Sequence, residues 1–496
     1  MNKTILDLNY RQAIKFFLDE KVYCTIDLPE YFSFQNLLNS IHNFNQHFIL
    51  SSPYWFKPKE HDNVNYVLFH NKDWEYSWRK MELINPVLYI ALIHQITKRR
   101  RWNELRKRFN FFKKYNLIKC VSIPVVDDKV QKNSKQKQIL SWWENIEQKS
   151  IELSLDFQYV FHTDIVDCYG SIYTHSIAWA LHWKETAKKS KRNDKFLWNL
   201  IDDIFQSMNY WQTNWIPQWS LISDFIAELV LGYIDFEFSK LYRNKKEIDW
   251  KKDFFILRYR DDYRIFVNNI ELWKEILKDL TNILSNFWMR INPDKTSYSY
   301  DIINSSIKKD KIYYLLNSYR NNNLQKYLLI LKNFADKFPN SGTLLKELSH
   351  FYKKIYFQKK FSESIILISI IVDIISKNPR TYPLWVSIIW KILSTIEDKK
   401  SIFEKILNKI QSIPNTEHLY IFLQRLALKI DEEKKFQWKL NQKIFDNKIE
   451  IWNFAWNTNK DLNKILKNTD IIDWIKINQL DIYPTKDSVL LFKTEY

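Results

Sequence analysis

Three carboxylates, Asp164 and the adjacent pair Asp261-Asp262, stand in the sequence where they could jointly bind a cation and act on a phosphate ester. Residues 158–164, Gln-Tyr-Val-Phe-His-Thr-Asp, are β-prone and alternate in character, which predicts a strand with a carboxylate at its end. Residues 254–267 set Asp261 and Asp262 between two apolar, β-prone runs, which predicts a hairpin with both acids at the turn. Neighbouring carboxylates at a tight turn repel each other, and a divalent cation relieves that repulsion. An isolated Asp-Asp pair is more often an ordinary turn, so the pair alone does not decide. Asp167 and Asp224 read as local caps or turn groups rather than ligands.

After Asp164 come Ile165-Val166-Asp167-Cys168-Tyr169-Gly170-Ser171 and a helical stretch to about 183, so Asp164 and Tyr169 flank one pocket at a strand-to-helix turn. Pro217-Gln218 precede another helix, and Asn292-Pro293-Asp294-Lys295-Thr296 follows the hairpin. Residues 1–130 mix short apolar runs with turn signals such as Leu28-Pro29 and Asn85-Pro86, a mixed α/β pattern. Within them Lys98-Arg99-Arg100-Arg101, Arg106-Lys107-Arg108 and Lys113-Lys114 interleave with Trp102, Phe109, Phe111 and Phe112. That stretch reads either as a base-stacking, phosphate-binding surface or as an amphipathic helix with a solvated charged face. The segment 129–137, KVQKNSKQK, reads as an exposed loop. From about 320 the pattern becomes amphipathic helices broken at Pro339–Gly342, Asn378-Pro379 and Pro414-Asn415, a spacing of stacked helix pairs without a repeated signature.

Composition narrows the class. A chain of 496 residues exceeds what one core usually organises, and the net charge of +18 favours a polyanionic partner, with nucleic acid first among them. Cys24, Cys120 and Cys168 form no CxxC pair, so neither a disulfide framework nor a zinc cluster is expected and a reducing cytoplasm fits. The apolar run at 365–375 is too short to span a bilayer, so no membrane association is expected. The chain holds 21 Trp and only 3 Gly, whereas proteins average roughly 7% glycine.

Taken jointly, the strand ending at Asp164 with Tyr169 five residues on, Pro217-Gln218, the Tyr259-Arg260-Asp261-Asp262 hairpin and Lys295 resemble the palm motifs of reverse transcriptases. The wording around Thr163-Asp164-Ile165, Cys168–His175 and Arg258–Arg264, with Leu28–Phe32 and Ile146-Glu147-Gln148, resembles bacterial defence-associated reverse transcriptases of the abortive-infection and DRT type. The resemblance implies an α/β right-hand polymerase, fingers and palm, over about 1–320, and an all-helical domain with repeat character over 321–496. It implies an RNA-directed DNA polymerase in antiphage defence that uses two Mg²⁺ ions and deoxynucleoside triphosphates, with RNA or DNA as partner and a homo-oligomer allowed. It assigns Asp164, Asp261, Asp262 and Lys295 to catalysis, and Asp164, Ile165, Asp261 and Asp262 to the metals. Tyr169 lies under the incoming sugar, Arg79-Lys80 meet the triphosphate and Gln218 lines the nucleotide pocket. Members of that group differ in template and primer, which stay open. A degenerate polymerase kept as a nucleic-acid-binding scaffold is the alternative.

The same motifs bear on the tryptophan excess. Trp215 and Trp219, on either side of Ile216-Pro217-Gln218, stand where the motif has glycine, as does Trp288 before Lys295, and Trp183 stands where a helix-ending glycine fits. An aromatic stripe through Trp211, Trp215 and Trp219 is interrupted by Pro217. A codon read as glycine by one genetic code and as tryptophan by another would account for both the excess and the shortage.

Overall fold

The computed structural model describes residues 3–47, 58–71, 78–126, 134–189, 197–317 and 321–478. Strands β1 (Tyr66–Asn71) and β2 (Trp78–Leu83) pair antiparallel, with His70 opposite Arg79 and Phe69 opposite Lys80. Helix α1 (Pro86–Ile96) starts where its sequence says it must: the Asn85 side chain accepts the Val87 N–H, and Pro86 occupies the first turn, where a missing N–H costs nothing. Helix α2 (Arg99–Tyr115) buries Trp102, Leu105, Phe109 and Phe112 while Lys107, Lys113 and Lys114 stay exposed. These aromatics face the core rather than a ligand, and the Trp102 indole donates to the Leu8 carbonyl at 2.9 Å, so the amphipathic-helix reading holds for them.

The second sheet carries the candidate chemistry. It contains β3 (Ile118–Cys120), β4 (Tyr159–Asp164), β5 (Phe254–Tyr259), β6 (Asp262–Val267) and β7 (Ser297–Ser299) in the order β3-β5-β6-β4-β7, with β3 parallel to β5 and the other pairs antiparallel. Residues 129–133 of the expected 129–137 loop lie outside the described residues, and Ser134–Trp142 is already helix. Lys and Gln are good helix formers, and the stretch holds neither Gly nor Pro to stop them.

Between the strands lie α3 (His175–His182), α4 (Leu197–Met208), α5 (Leu221–Arg243) and, after β6, α6 (Ile270–Ser285). Apolar on nearly every side, α5 is buried for most of its length, packed among α2, α3 and α6. Period-two alternation sends Phe161, Ile256 and Ile265 into this main core and Val160, Leu257 and Phe266 into a smaller one with Ile146, Leu153 and Phe157, so both faces of the sheet are covered.

Beyond it, α7 (Leu324–Lys337), α8 (Gly342–Tyr356), α9 (Ser364–Lys377), α10 (Tyr382–Leu393), α11 (Lys399–Gln411) and α12 (Glu417–Ile430) follow, with the expected breakers between them. Each packs on the next but one: α7 on α9, α8 on α10, α9 on α11 and α10 on α12. The expected boundary at 320 falls among residues 318–320, outside those described. The helical part returns to the beginning of the chain. Phe32 bridges to Ile472, Asp473 N–H donates to the Tyr31 carbonyl at 2.7 Å, and the Trp452 indole donates to the Leu83 carbonyl at 3.0 Å. Among the described residues no helix is long and apolar enough to cross a membrane.

Candidate active site

Strand register brings the acids together. Asp164, the last residue of β4, lies directly opposite Asp262, the first residue of β6, and Asp262 also lies opposite Tyr259 of β5. Opposed residues of an antiparallel pair put their Cβ atoms about 4.5–5.5 Å apart, so these carboxylates share one edge of the sheet. Asp261 sits in the two-residue turn, and its carbonyl accepts the Ile165 N–H at 3.2 Å, tying the hairpin tip to the end of β4. Asn292 N–H donates to the Asp164 carbonyl at 2.9 Å, and Thr163 bonds Thr296 at 2.9 Å, so the Lys295 segment is pinned beside the same edge.

The turn is strained and braced. Arg260 has a φ of +55°, the sense of the primed turns that match strand twist but an uncommon one for a residue with a side chain. Its backbone N–H donates to Ser122 Oγ at 2.9 Å and its guanidinium pairs with Asp224 at 2.5 Å. One residue earlier, the buried Arg258 donates from Nε to Asp235 at 2.8 Å, and from Nη1 to Glu228 at 2.9 Å and to the Arg260 carbonyl at 3.0 Å. Burial alone would lower the Arg258 pKa; Asp235 and Glu228 outweigh it and hold the group charged.

Electrostatics at the edge favour a cation. Burial, then the charges of Asp261 and Asp164, push the Asp262 carboxyl up to about 6, and burial followed by Asp164 pushes Asp261 in the same direction. Asp164 is 3% exposed; its Oδ2 accepts from the Lys295 ammonium, while its Oδ1 is buried without a hydrogen-bond partner. Burial would lower the Lys295 pKa, but its bond to Asp164 and the nearby carboxylates raise it, so it keeps its proton. Among the described residues no three His, Cys, Asp or Glu side chains converge tightly enough to chelate a metal as they stand. The donor chemistry still fits a hard divalent cation: the carboxylates are all oxygen, they repel one another, and one buried oxygen lacks a partner. Ile165, whose side chain is 2% exposed and apolar, can contribute only its main-chain oxygen.

The other expected residues lie around a neighbouring loop. The Tyr169 carbonyl accepts the Ile216 N–H at 3.0 Å, which ties the strand-to-helix turn to residues 212–220, where Gln218 is half-buried. The Tyr169 hydroxyl donates to Asp224 at 2.5 Å. Arg79 lies 6.0 Å from the Trp219 ring centroid, and Lys80 lies 4.8 Å from that of Trp215 and also pairs with Glu82. Burial pushes the Glu82 carboxyl up to about 7, against the pull of Lys80. At Gly170 a Cβ would lie 2.1 Å from the Asp167 carboxylate, so a larger residue there would require the exposed Asp167 side chain to move.

Two expectations change. Asp224 lies in the first turn of α5 but is no simple cap: it joins Tyr169 to Arg260 beneath the hairpin. The buried set Arg258, Glu228 and Asp235 was not anticipated. Its signal is the spacing of Asp224, Glu228 and Asp235 along one face of an otherwise apolar helix, which demands a buried cation.

No family model and no curated protein matches the chain. Among solved structures, apo telomerase from Candida tropicalis aligns with 80% of this chain and 69% of its own, at 13% identity and a TM-score of 0.29. Telomerase from Candida albicans in complex with a TWJ fragment of telomeric RNA aligns over 69% of this chain and 66% of its own, at 13% identity and 0.30. The corresponding Candida tropicalis complex gives 78%, 64%, 12% and 0.31. Scores at this level do not establish a shared fold.

Proposed function

We propose that this chain is a nucleic-acid polymerase of the reverse-transcriptase type, a right-hand fold that extends DNA from deoxynucleoside triphosphates. The observation that carries the reading is the register pairing of Asp164 with Asp262, with Asp261 in the adjoining turn and a buried, unpartnered oxygen on Asp164. Asp164, Asp261 and Asp262, with the main-chain oxygen of Ile165, would hold two Mg²⁺ ions, which when bound neutralise phosphate charge and make a sugar hydroxyl more acidic. Lys295 keeps its proton beside Asp164 and can give it, or its charge, to a departing pyrophosphate. Arg79 and Lys80 supply cations for the triphosphate, Gln218 lines the base pocket, and the Tyr169 ring excludes a 2′-hydroxyl. The net charge of +18 suits an RNA or DNA partner. The motif wording supports a role in antiphage defence.

Two observations favour a second reading, a nucleic-acid-binding scaffold without catalysis: Trp219 and Trp215 rings stand against Arg79 and Lys80, and Lys295 occupies a carboxylate oxygen of Asp164. The test uses protein purified from its source, with Mg²⁺ and each deoxynucleotide, with and without RNA, and product sized after nuclease and protease treatment. Polymerase activity predicts nuclease-sensitive product that disappears in Asp261→Asn/Asp262→Asn. RNA binding without incorporation under any of these conditions would overturn the polymerase reading and leave the scaffold.

A further inference from the structure

The chain's left-handed backbone is distributed against the ordinary chemistry of side chains. Trp183, Trp211, Trp219 and Trp288 have φ of +69°, +63°, +72° and +64°, whereas none of the glycines has a positive φ. With φ in this range the Cβ crowds the neighbouring carbonyl, which Asn and Asp tolerate and a bulky aromatic rarely does. Four of the other six such residues, Asn63, Asp167, Asn340 and Asn415, are of the tolerant types.

Trp288 shows the local reason most fully. Past the end of α6, the Trp288 N–H donates to the Ser285 carbonyl at 3.1 Å and the Met289 N–H to the Leu284 carbonyl at 3.1 Å. That bond pair is the Schellman termination, and its left-handed residue is usually glycine. Trp183, which ends α3, combines φ +69° with ψ +145°, beside a region that is essentially glycine's alone. Trp211 follows α4 with its N–H on the Gln206 carbonyl at 3.1 Å, and Trp219 precedes α5 with its carbonyl accepting from Thr25 at 2.9 Å.

Their side chains differ in what they gain: Arg108 stands 3.7 Å from the Trp183 ring centroid and Lys59 3.8 Å from that of Trp211, contacts that leave the backbone strain in place. Trp288 is 73% exposed and Trp211 50%, while the Trp219 indole N–H is buried without a partner. Trp102 and Trp452 behave as tryptophans should, with buried rings and indole N–H groups bonded to carbonyls. Trp215 is set apart as well: its backbone is not left-handed and its ring is buried, so the glycine expected there has no support from the backbone.

We infer that positions 183, 211, 219 and 288 are glycine in the protein its source makes, each encoded by UGA, which that source reads as glycine and another genetic code reads as tryptophan. Glycine at 219 removes the ring that stands against Arg79 and beside His70. The inference rests on backbone geometry and is independent of the polymerase reading.

Two measurements test it without any activity assay. The coding DNA and tryptic peptides of protein purified from the source should show UGA and glycine at the four positions; UGG codons, or tryptophan in those peptides, would overturn the inference. In the recombinant chain, Trp288→Gly and Trp211→Gly should each raise the melting temperature, while Trp390→Gly, inside the regular helix α10, should lower it. A fall for all three would show that the left-handed positions accept tryptophan as well as any other site does, and would overturn the inference too.

Discussion

Replacing Arg258 with leucine should destabilise the protein by about 3–5 kcal/mol at pH 8, the cost of leaving buried charges without their partner. The side chain is fully buried, as is Asp235, and Glu228 is 2% exposed, so no solvent can substitute for the guanidinium. The variant loses the bonds to Asp235 at 2.8 Å, Glu228 at 2.9 Å and the Arg260 carbonyl at 3.0 Å together. Tyr263 and Ser122 still donate to the two carboxylates, so the residual cost is charge rather than missing hydrogen bonds. The pH dependence follows from Asp235, whose carboxyl burial raises from 3.8 to about 6 even with Arg258 in place. A raised carboxyl pKa is a penalty absent below 3.8, growing through the interval and complete above 6. Without Arg258 the pKa rises further, so the folded variant takes up a proton sooner and its deficit narrows as pH falls from 8 toward 5. Urea unfolding followed by tryptophan fluorescence at both pH values measures this, and adding Glu228→Gln and Asp235→Asn should recover part of the loss. A deficit below about 1 kcal/mol, the size of one ordinary hydrogen bond, or a deficit equal at both pH values, would refute the argument.

Further expectations concern the sheet edge and its surroundings. Asp261→Asn/Asp262→Asn should abolish incorporation yet raise the metal-free melting temperature at pH 8 more than at pH 5, since the penalty of a carboxyl raised from 3.8 to about 6 is complete at pH 8 and only partly developed at pH 5. Although surrounding atoms crowd the Asp262 carboxyl, its residue keeps a solvent-exposed surface that screens the charge, so the gain stays under about 1 kcal/mol, and a drop in melting temperature at both pH values would count against the repulsion argument. Tyr169→Ala should weaken exclusion of ribonucleotides while Tyr169→Phe, which keeps the ring and loses only the bond to Asp224, should not; equal selectivity in both would remove Tyr169 from that role. Trp452→Phe should cost about 1 kcal/mol through its bond to Leu83, and Trp452→Ala about 3–5 kcal/mol through the cavity, measured by denaturant midpoints. Comparable losses in the two would mean that the ring contributes nothing beyond its N–H.

Local signals were legible where the physics is local. Alternation marked the strand ending at Asp164, the Asp-Asp turn marked the hairpin, and Pro379 and Pro414 marked breaks between helices. What could not be read is set by contacts distant in sequence. Asp224 looks like a cap because it lies in a first turn; its partners Arg260 and Tyr169 come from 36 and 55 residues away. The acidic face of α5 calls for a buried cation, yet nothing nearby in sequence identifies Arg258, which arrives from the next strand. The aromatics of α2 could have faced a ligand or the core, and only packing against elements such as Phe225 of α5 decided it.

The closure of the helical part on residues 27–33 also sets the order in which a nascent chain can finish. His418 bonds the Asp27 carbonyl at 2.7 Å and Asn453 donates to the Asp62 carbonyl at 2.8 Å, each pair 391 residues apart. A ribosome adding 5–20 residues per second needs about 20–80 s to bring such partners out after the first has emerged. Throughout that interval the early segment has its own helices but not its final cover, and its apolar residues, Tyr31 and Phe32 among them, must be shielded by other means. A chain cut short before residue 452 lacks the indole that caps Leu83 and the strand partner of Phe32. Incomplete translation products should therefore be cleared by proteolysis rather than persist as partly folded chains.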